Sequence, residues 1–207
     1  MKANRMKKLL AAAVILGGAF VGSAATAQAP DPAVQQVQTF YDALLDSMKH
    51  SKELGVQGRF NKLKPVFEQV FDLADMASIS VGPDKWAALS PADQQMLVVA
   101  FERMTVASYA KNFDGYSGEK FVVDPTATPR GTDRLVQSKL VSGAQTVPFG
   151  YRLRQASGVW KILDIYLNGN ISQLAVQRSD YSATFSASGA AGLAKKLNEK
   201  SALLLGG

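Results

Sequence analysis

Residues Val159–Phe185, VWKILDIYLNGNISQLAVQRSDYSATF, carry the clearest structural signal in the chain. Val159 to Leu167 is apolar on both sides of a strand. Regular alternation places Trp160, Ile162 and Tyr166 with Asp164 on one face, and Val159, Leu163, Ile165 and Leu167 on the other. A strand of this kind needs cover on both faces and is therefore expected between two apolar layers. Asn168-Gly169-Asn170 ends it, and Ser172 can cap a following helix that carries Leu174, Ala175, Tyr181 and Phe185, with Arg178 among them. Strand, sharp turn and returning helix predict a concave unit with an apolar interior.

Upstream of this unit the period of the sequence is that of strands. Lys120–Asp124, Asp133–Ser142 and Gln145–Arg154 join Val159–Leu167 as four predicted strands. Turn signals at Ser142-Gly143-Ala144 and Ala156-Ser157-Gly158 make the last three antiparallel neighbours. Pro125–Thr132 reads as a polar connection. The third strand alternates cleanly, with Val147, Phe149, Tyr151 and Leu153 inward and Gly150, Arg152 and Arg154 outward.

Before residue 114 the spacing is helical. Val34, Val37, Phe40, Tyr41, Leu44 and Met48 place one amphipathic helix over Pro32–Lys52. A break at Gly55–Gly58 precedes a second helix through Phe71, with Pro65 inside it as a start or a kink. Asp72–Ser80 is a short third helix. Ser90-Pro91 is an N-cap followed by proline at the first helical position, and opens a helix to about Asn112 that is apolar nearly all round. Two helices, Ile171–Phe185 and Gly189–Leu204, close the chain. The fold class is α+β, with a helical part over 32–113 and a sheet with C-terminal helices over 119–204.

The first 27 residues read as a signal peptide. Lys2, Arg5, Lys7 and Lys8 precede an apolar run from Leu9 to Val21, and small residues follow up to Ala25-Thr26-Ala27. Cleavage after Ala27 leaves residues 28–207 as a single exported domain, expected in the periplasm. The full chain has 23 Lys+Arg against 17 Asp+Glu; without the four leader cations the balance is 19 against 17. That balance gives no support to nucleic-acid binding. The chain has no cysteine, which excludes disulfides and lipid attachment at a processed N-terminal cysteine.

Reactive chemistry is sparse. The one histidine, His50, lies at the polar end of the first helix, where a solvated side chain is the expectation. No metal-ligand spacing, calcium loop or glycine-rich phosphate loop is present, so neither a metal nor a cofactor is expected. Asp164 is expected to be partly buried, with Arg178 as its nearest ion-pair partner. A hydrolytic role for Asp164 would need a second positioned group, and the sequence supplies none. Phe149, Tyr151, Trp160, Tyr166, Tyr109, Phe113, Tyr181 and Phe185 are expected to converge on one sheet face. They form either a dry core or the wall of a pocket for an apolar ligand.

An ordered set of motifs carries a resemblance. Phe71-Asp72, Gly82, Trp86, Leu89-Ser90-Pro91, Phe101, Tyr109-Ala110 and Tyr116-Ser117-Gly118-Glu119 are followed by Tyr151-Arg152-Leu153, Gly158-Val159-Trp160-Lys161-Ile162 and Asp164-Ile165. Arg178-Ser179-Asp180-Tyr181 and the Gly-x-x-x-Leu of Gly189–Leu193 complete it. In these residues the chain resembles the MlaC or toluene-tolerance family of periplasmic phospholipid-binding proteins, the soluble shuttles of an ABC-type lipid transport system. The resemblance implies a strongly curved antiparallel sheet wrapped by helices, related to NTF2-like folds, with an interior for acyl chains and no catalysis. It implies membrane-bound transport complexes as partners. The pocket residues it implies are Tyr109, Phe149, Tyr151, Trp160, Ile162, Tyr166, Leu174 and Tyr181, with helices on one face of the last strand and acyl chains on the other. Asn168–Ala175 departs from the phospholipid shuttles and is similar to HpnM, a branch associated with hopanoids, which implies a rigid polycyclic lipid as the alternative ligand. An NTF2-like enzyme with Asp164 as base is the reading from a different class.

Overall fold

The structure, a computed structural model, describes residues 31–206. The expected signal peptide, its cleavage after Ala27 and residues 28–30 lie outside the described part. Helix α1 spans Pro32–Lys49, and the Asp31 carboxylate caps it by accepting the Ala33 N–H at 2.9 Å. It stops three residues short of the expected Lys52 because His50 leaves helical geometry, and α2 (Ser51–Val70) follows at once. The expected break at 55–58 narrows to a kink at Gly55, and Pro65 is accommodated within α2. Helices α3 (Leu73–Val81) and α4 (Pro83–Ala87) lead to α5 (Pro91–Asn112). Ser90 caps α5 as the sequence predicts, accepting the Asp93 N–H at 3.1 Å. Helix α5 is not apolar all round: Leu97, Ala100, Phe101 and Met104 are buried, whereas Val99 is 54% exposed.

Six strands form one antiparallel sheet: β1 (Lys120–Val123), β2 (Thr128–Arg130), β3 (Asp133–Ser142), β4 (Gln145–Ala156), β5 (Val159–Leu167) and β6 (Ile171–Ser172). Their order is β1-β3-β4-β5-β6, and β2 lies beside β1 on the same edge of β3. The two strands beyond the expected four are three and two residues long, too short to carry a period-two signal. The sheet is curved and does not close. Part of the free edge of β5 is covered by a bridge from Phe71, and the Asp72 N–H donates to the Ile162 carbonyl at 2.9 Å.

A β-bulge corrects the face assignment of β5. Arg152 lies opposite Asp164 and Leu153 opposite Ile162, so Leu163 is an extra residue and the alternation reverses after it. Trp160, Ile162, Ile165 and Leu167 therefore share the inner face with Phe149, Tyr151 and Leu153. Asp164 and Tyr166 fall on the outer face, opposite Arg152 and Gly150.

The inner face receives α1 and α2, and α5 packs against α2. Phe40 lies at the centre, with ring centroids 5.3 Å from Phe67, 5.0 Å from Phe71, 5.5 Å from Tyr109 and 6.3 Å from Tyr151, all edge-on. The chain closes with α6 (Gln173–Leu204), whose helical backbone is interrupted at Gly189, so that two helical segments meet at a kink, as the sequence predicts. Gly189 has φ 62° and ψ −161°, a backbone region open essentially to glycine alone. A Cβ there would meet nothing within 4 Å, so a substitution costs backbone strain and no clash. Gly189→Ala is expected to destabilise the protein by about 1–3 kcal/mol in urea unfolding.

On the outer face Asp133 is buried and accepts hydrogen bonds from Arg154 Nε at 2.8 Å and Arg152 Nε at 2.5 Å. Arg154 first, and then Arg152, hold its carboxyl below the ordinary 3.8 against the opposing effect of burial. A depressed carboxyl pKa gives stability that is present above the unfolded value and lost as pH falls through the folded one. The stability gap between wild type and Asp133→Asn in urea is therefore expected to shrink below about pH 4. Tyr41 acts at the other end of the scale. Burial raises its phenol to about 12, although its hydroxyl pairs with Ser138 Oγ at 2.8 Å. Stability from Tyr41 is full below the ordinary value of 10.0 and lost as pH rises through the folded value. Tyr41→Phe is expected to flatten the alkaline limb of the pH–stability curve.

Candidate functional site

Between the inner face of β4 and β5 and helices α5 and α6 lies a cavity of about 340 Å³. The sheet contributes Phe149, Ile165 and Leu167; α5 contributes Met104 and Tyr109, and Phe113 follows at its C-terminal end. Phe71 and Met76 wall one side, and Leu174 closes the wall from α6. These positions follow from period. On α5 the residues Thr105, Ser108, Tyr109 and Asn112 recur every three to four residues on one face, and on α6 Gln173 and Gln177 are one turn apart. The polar lining consists of hydroxyls and amides only: no charged side chain borders the cavity.

A larger recess of about 850 Å³ lies between α1 and the segment after β1. Its wall includes Asp31 and Arg134, paired at 2.5 Å, with Gln35 and Gln38 beside them. An apolar ligand there would desolvate an ion pair, which is unfavourable. Among the described residues no group of His, Asp or Glu could hold a metal ion, and no helix is long and apolar enough to cross a membrane.

The structure brings Tyr109, Phe149 and Leu174 together in the cavity wall. Five other expected pocket residues are elsewhere. Tyr151 is 2% exposed inside the aromatic cluster, its ring centroid 5.5 Å from Tyr41, and Ile162 is fully buried beside Phe71. Trp160 lies under the Arg134 guanidinium at 5.2 Å. Tyr166 is on the outer face because of the bulge, and its hydroxyl accepts from Arg130 Nη1 at 3.2 Å. Tyr181 is buried on α6 outside the cavity wall; its hydroxyl has no protein partner, and burial pushes its pKa well up. The expectation of helices on one face of β5 and ligand on the other is corrected as well. Both the helical core and the cavity use the inner face, the core along Ile162 and the cavity along Ile165 and Leu167.

The expected ion pair between Asp164 and Arg178 does not form. Asp164 Oδ1 accepts the N–H groups of Ile165 at 2.8 Å and Leu174 at 3.2 Å, and Oδ2 accepts the Ser172 hydroxyl at 2.6 Å. Ser172 Oγ in turn accepts the Ala175 N–H at 3.1 Å. The carboxylate is thus satisfied by the first turn of α6, where the helix dipole also favours negative charge. The Arg178 guanidinium packs against Gly82, where a Cβ would lie 3.1 Å from Nη2. Asp164 does not border the cavity. His50 is half exposed and bonded to Asp46.

Sequence reasoning missed Thr105, Ser108, Asn112, Gln173 and Gln177. The signal was available: on a helix otherwise rich in apolar residues, three hydrogen-bonding side chains at 105, 108 and 112 mark one face.

A solved structure similar to this chain is that of a phospholipid-binding protein from Ralstonia solanacearum in complex with a phospholipid. The two align with a TM-score of 0.71 at 22% identity, over 83% of this chain and 98% of the other. That likeness shows the fold. No curated protein matches the chain. The family model described as MlaC protein matches residues 38–199. Those residues contain every side chain that lines the cavity, and the chain belongs to the MlaC protein family.

Proposed function

We propose that this protein is an exported lipid carrier of the periplasm, with phospholipid as its ligand and acyl chain as the part enclosed between α5, α6 and the sheet. The observation that carries this reading is the cavity itself: about 340 Å³, walled mainly by aromatic, methionine and branched side chains, with a few hydroxyls and amides and no charge. Enclosure is favourable because apolar surface leaves water at roughly 25 cal/mol per Å². Support comes from the family match and from the Ralstonia protein, whose structure holds a phospholipid. The volume is near the low end of the roughly 300–1,000 Å³ of small-molecule pockets, so a two-chain lipid requires the α5 and α6 walls to part. Release requires a partner that offers a better site or favours the opened form, since tight binding alone moves nothing. Membrane-bound complexes of an ABC-type transport system are the partners this reading calls for.

The placement of Asp164 counts against an NTF2-like enzyme, because its carboxylate is committed to the start of α6 and lies outside the cavity. The test is native mass spectrometry of the mature protein purified from its own periplasm, with organic extraction of whatever dissociates. A diacyl phospholipid adduct is expected. A hopanoid would change the ligand and keep the carrier, and no adduct even after incubation with phospholipid vesicles would overturn the reading.

A further inference from the structure

The two halves of α6 are held very differently. Past Gly189 the side chains of Ala190, Leu193, Ala194, Leu197 and Ser201 are buried. Before it, between residues 175 and 188, Tyr181 is the only buried side chain. Its hydroxyl is sealed from water and has no hydrogen-bond partner among the described residues. Gln177 Oε1, one turn earlier on the same face, is in the same condition. So is Thr105 Oγ1 on α5, which borders the same cavity as Gln177. A polar atom denied both a partner and water is costly, and most are satisfied within the fold. The remaining ties of this half-helix are weak: Lys85 Nζ donates to Ser186 Oγ at 3.4 Å and Lys196 Nζ to Thr184 Oγ1 at 2.8 Å, both at exposed positions where water can substitute.

The two ends of the segment differ as well. Gly189 interrupts the helix in a conformation open essentially to glycine, and no atom lies within 4 Å of where a Cβ would be. At the other end Asp164 accepts the Ser172 hydroxyl and the Leu174 N–H. We infer that residues 173–188 form a gate over the cavity, hinged at Gly189, latched by Asp164, and displaced from α5 to admit the ligand. Displacement hydrates the stranded atoms of Tyr181, Gln177 and Thr105, which offsets part of the cost of wetting the apolar wall. This inference rests on reading the cavity as a lipid site, and it names the wall that moves.

Tyr181 lies outside the cavity wall, so Tyr181→Phe removes a stranded hydroxyl, keeps the ring and favours the closed gate. Amide hydrogen exchange over residues 175–188 is expected to be about fivefold slower than in the wild type, and unchanged over 190–204. Uptake from phosphatidylcholine vesicles by the lipid-free mature protein, followed by mass spectrometry, is expected to slow by a similar factor. Ser47→Ala is the control: it removes an equally stranded hydroxyl on α1 and should leave both rates unchanged. Wild-type exchange over 175–188 as slow as over 190–204 would overturn the gate and leave the carrier intact. Uptake by Tyr181→Phe at the wild-type rate would do the same. If the wild type takes up no lipid, the carrier reading falls, and exchange over 175–188 still decides whether this half-helix opens.

Discussion

Asp164→Ala is expected to lower the unfolding free energy by about 3 kcal/mol, because it strips a charged acceptor from two backbone N–H groups and a hydroxyl at a buried site. The groups left behind, on Ile165, Leu174 and Ser172, lie at the junction of β5 and α6. The first turn of α6 would lose both its side-chain anchor and the negative charge at its N-terminus. Asp164→Asn should behave quite differently. Its Oδ1 can still accept from Ile165 and Leu174, and its Nδ2 can donate to Ser172 Oγ, so the expected cost is about 1 kcal/mol. Urea unfolding of both variants beside the wild type separates the two cases. An alanine variant as stable as the wild type would mean that this carboxylate does not hold the junction.

The second large effect concerns loading. Ser108 lies on the cavity face of α5 and is only half buried, so a larger side chain there can enter the cavity without displacing the aromatic core. Ser108→Trp is expected to reduce the lipid recovered with the protein by roughly tenfold, since the indole occupies space that a ligand would otherwise fill. Val99→Trp, on the exposed face of the same helix, is the matched control and should leave loading unchanged. The measurement is phospholipid per protein after vesicle incubation, with urea midpoints to show that both variants fold. Normal loading of Ser108→Trp would place the ligand elsewhere.

Much of the fold was legible because local chemistry and tertiary structure agree. Ser90-Pro91 caps α5 and Ser172 caps α6 where the sequence places them. The four longer strands start at their predicted residues and end within two residues of the predicted ends, because turn signals bound β3, β4 and β5. What failed was the counting of faces across Leu163. One extra residue in β5 exchanges Tyr166 for Ile165 and Leu167 on the inner face, and alternation alone does not reveal a bulge. The Asp164–Arg178 pair failed for a different reason. Proximity in sequence suggested a side-chain partner, whereas the backbone of the next helix supplied one. The cavity wall was half legible: its aromatic members stand out by size, but Thr105 and Gln177 are recognised only when α5 and α6 face one another across the same space.

The most direct test of the central claim is photo-crosslinking from inside the cavity. A benzophenone amino acid at position 108, in mature protein incubated with phospholipid vesicles, should attach covalently to an acyl chain, and the same probe at position 99 should not. A lipid-sized mass increase confined to position 108 is the result this account predicts. Crosslinking at neither position, or equally at both, would contradict the placement of lipid between α5, α6 and the sheet.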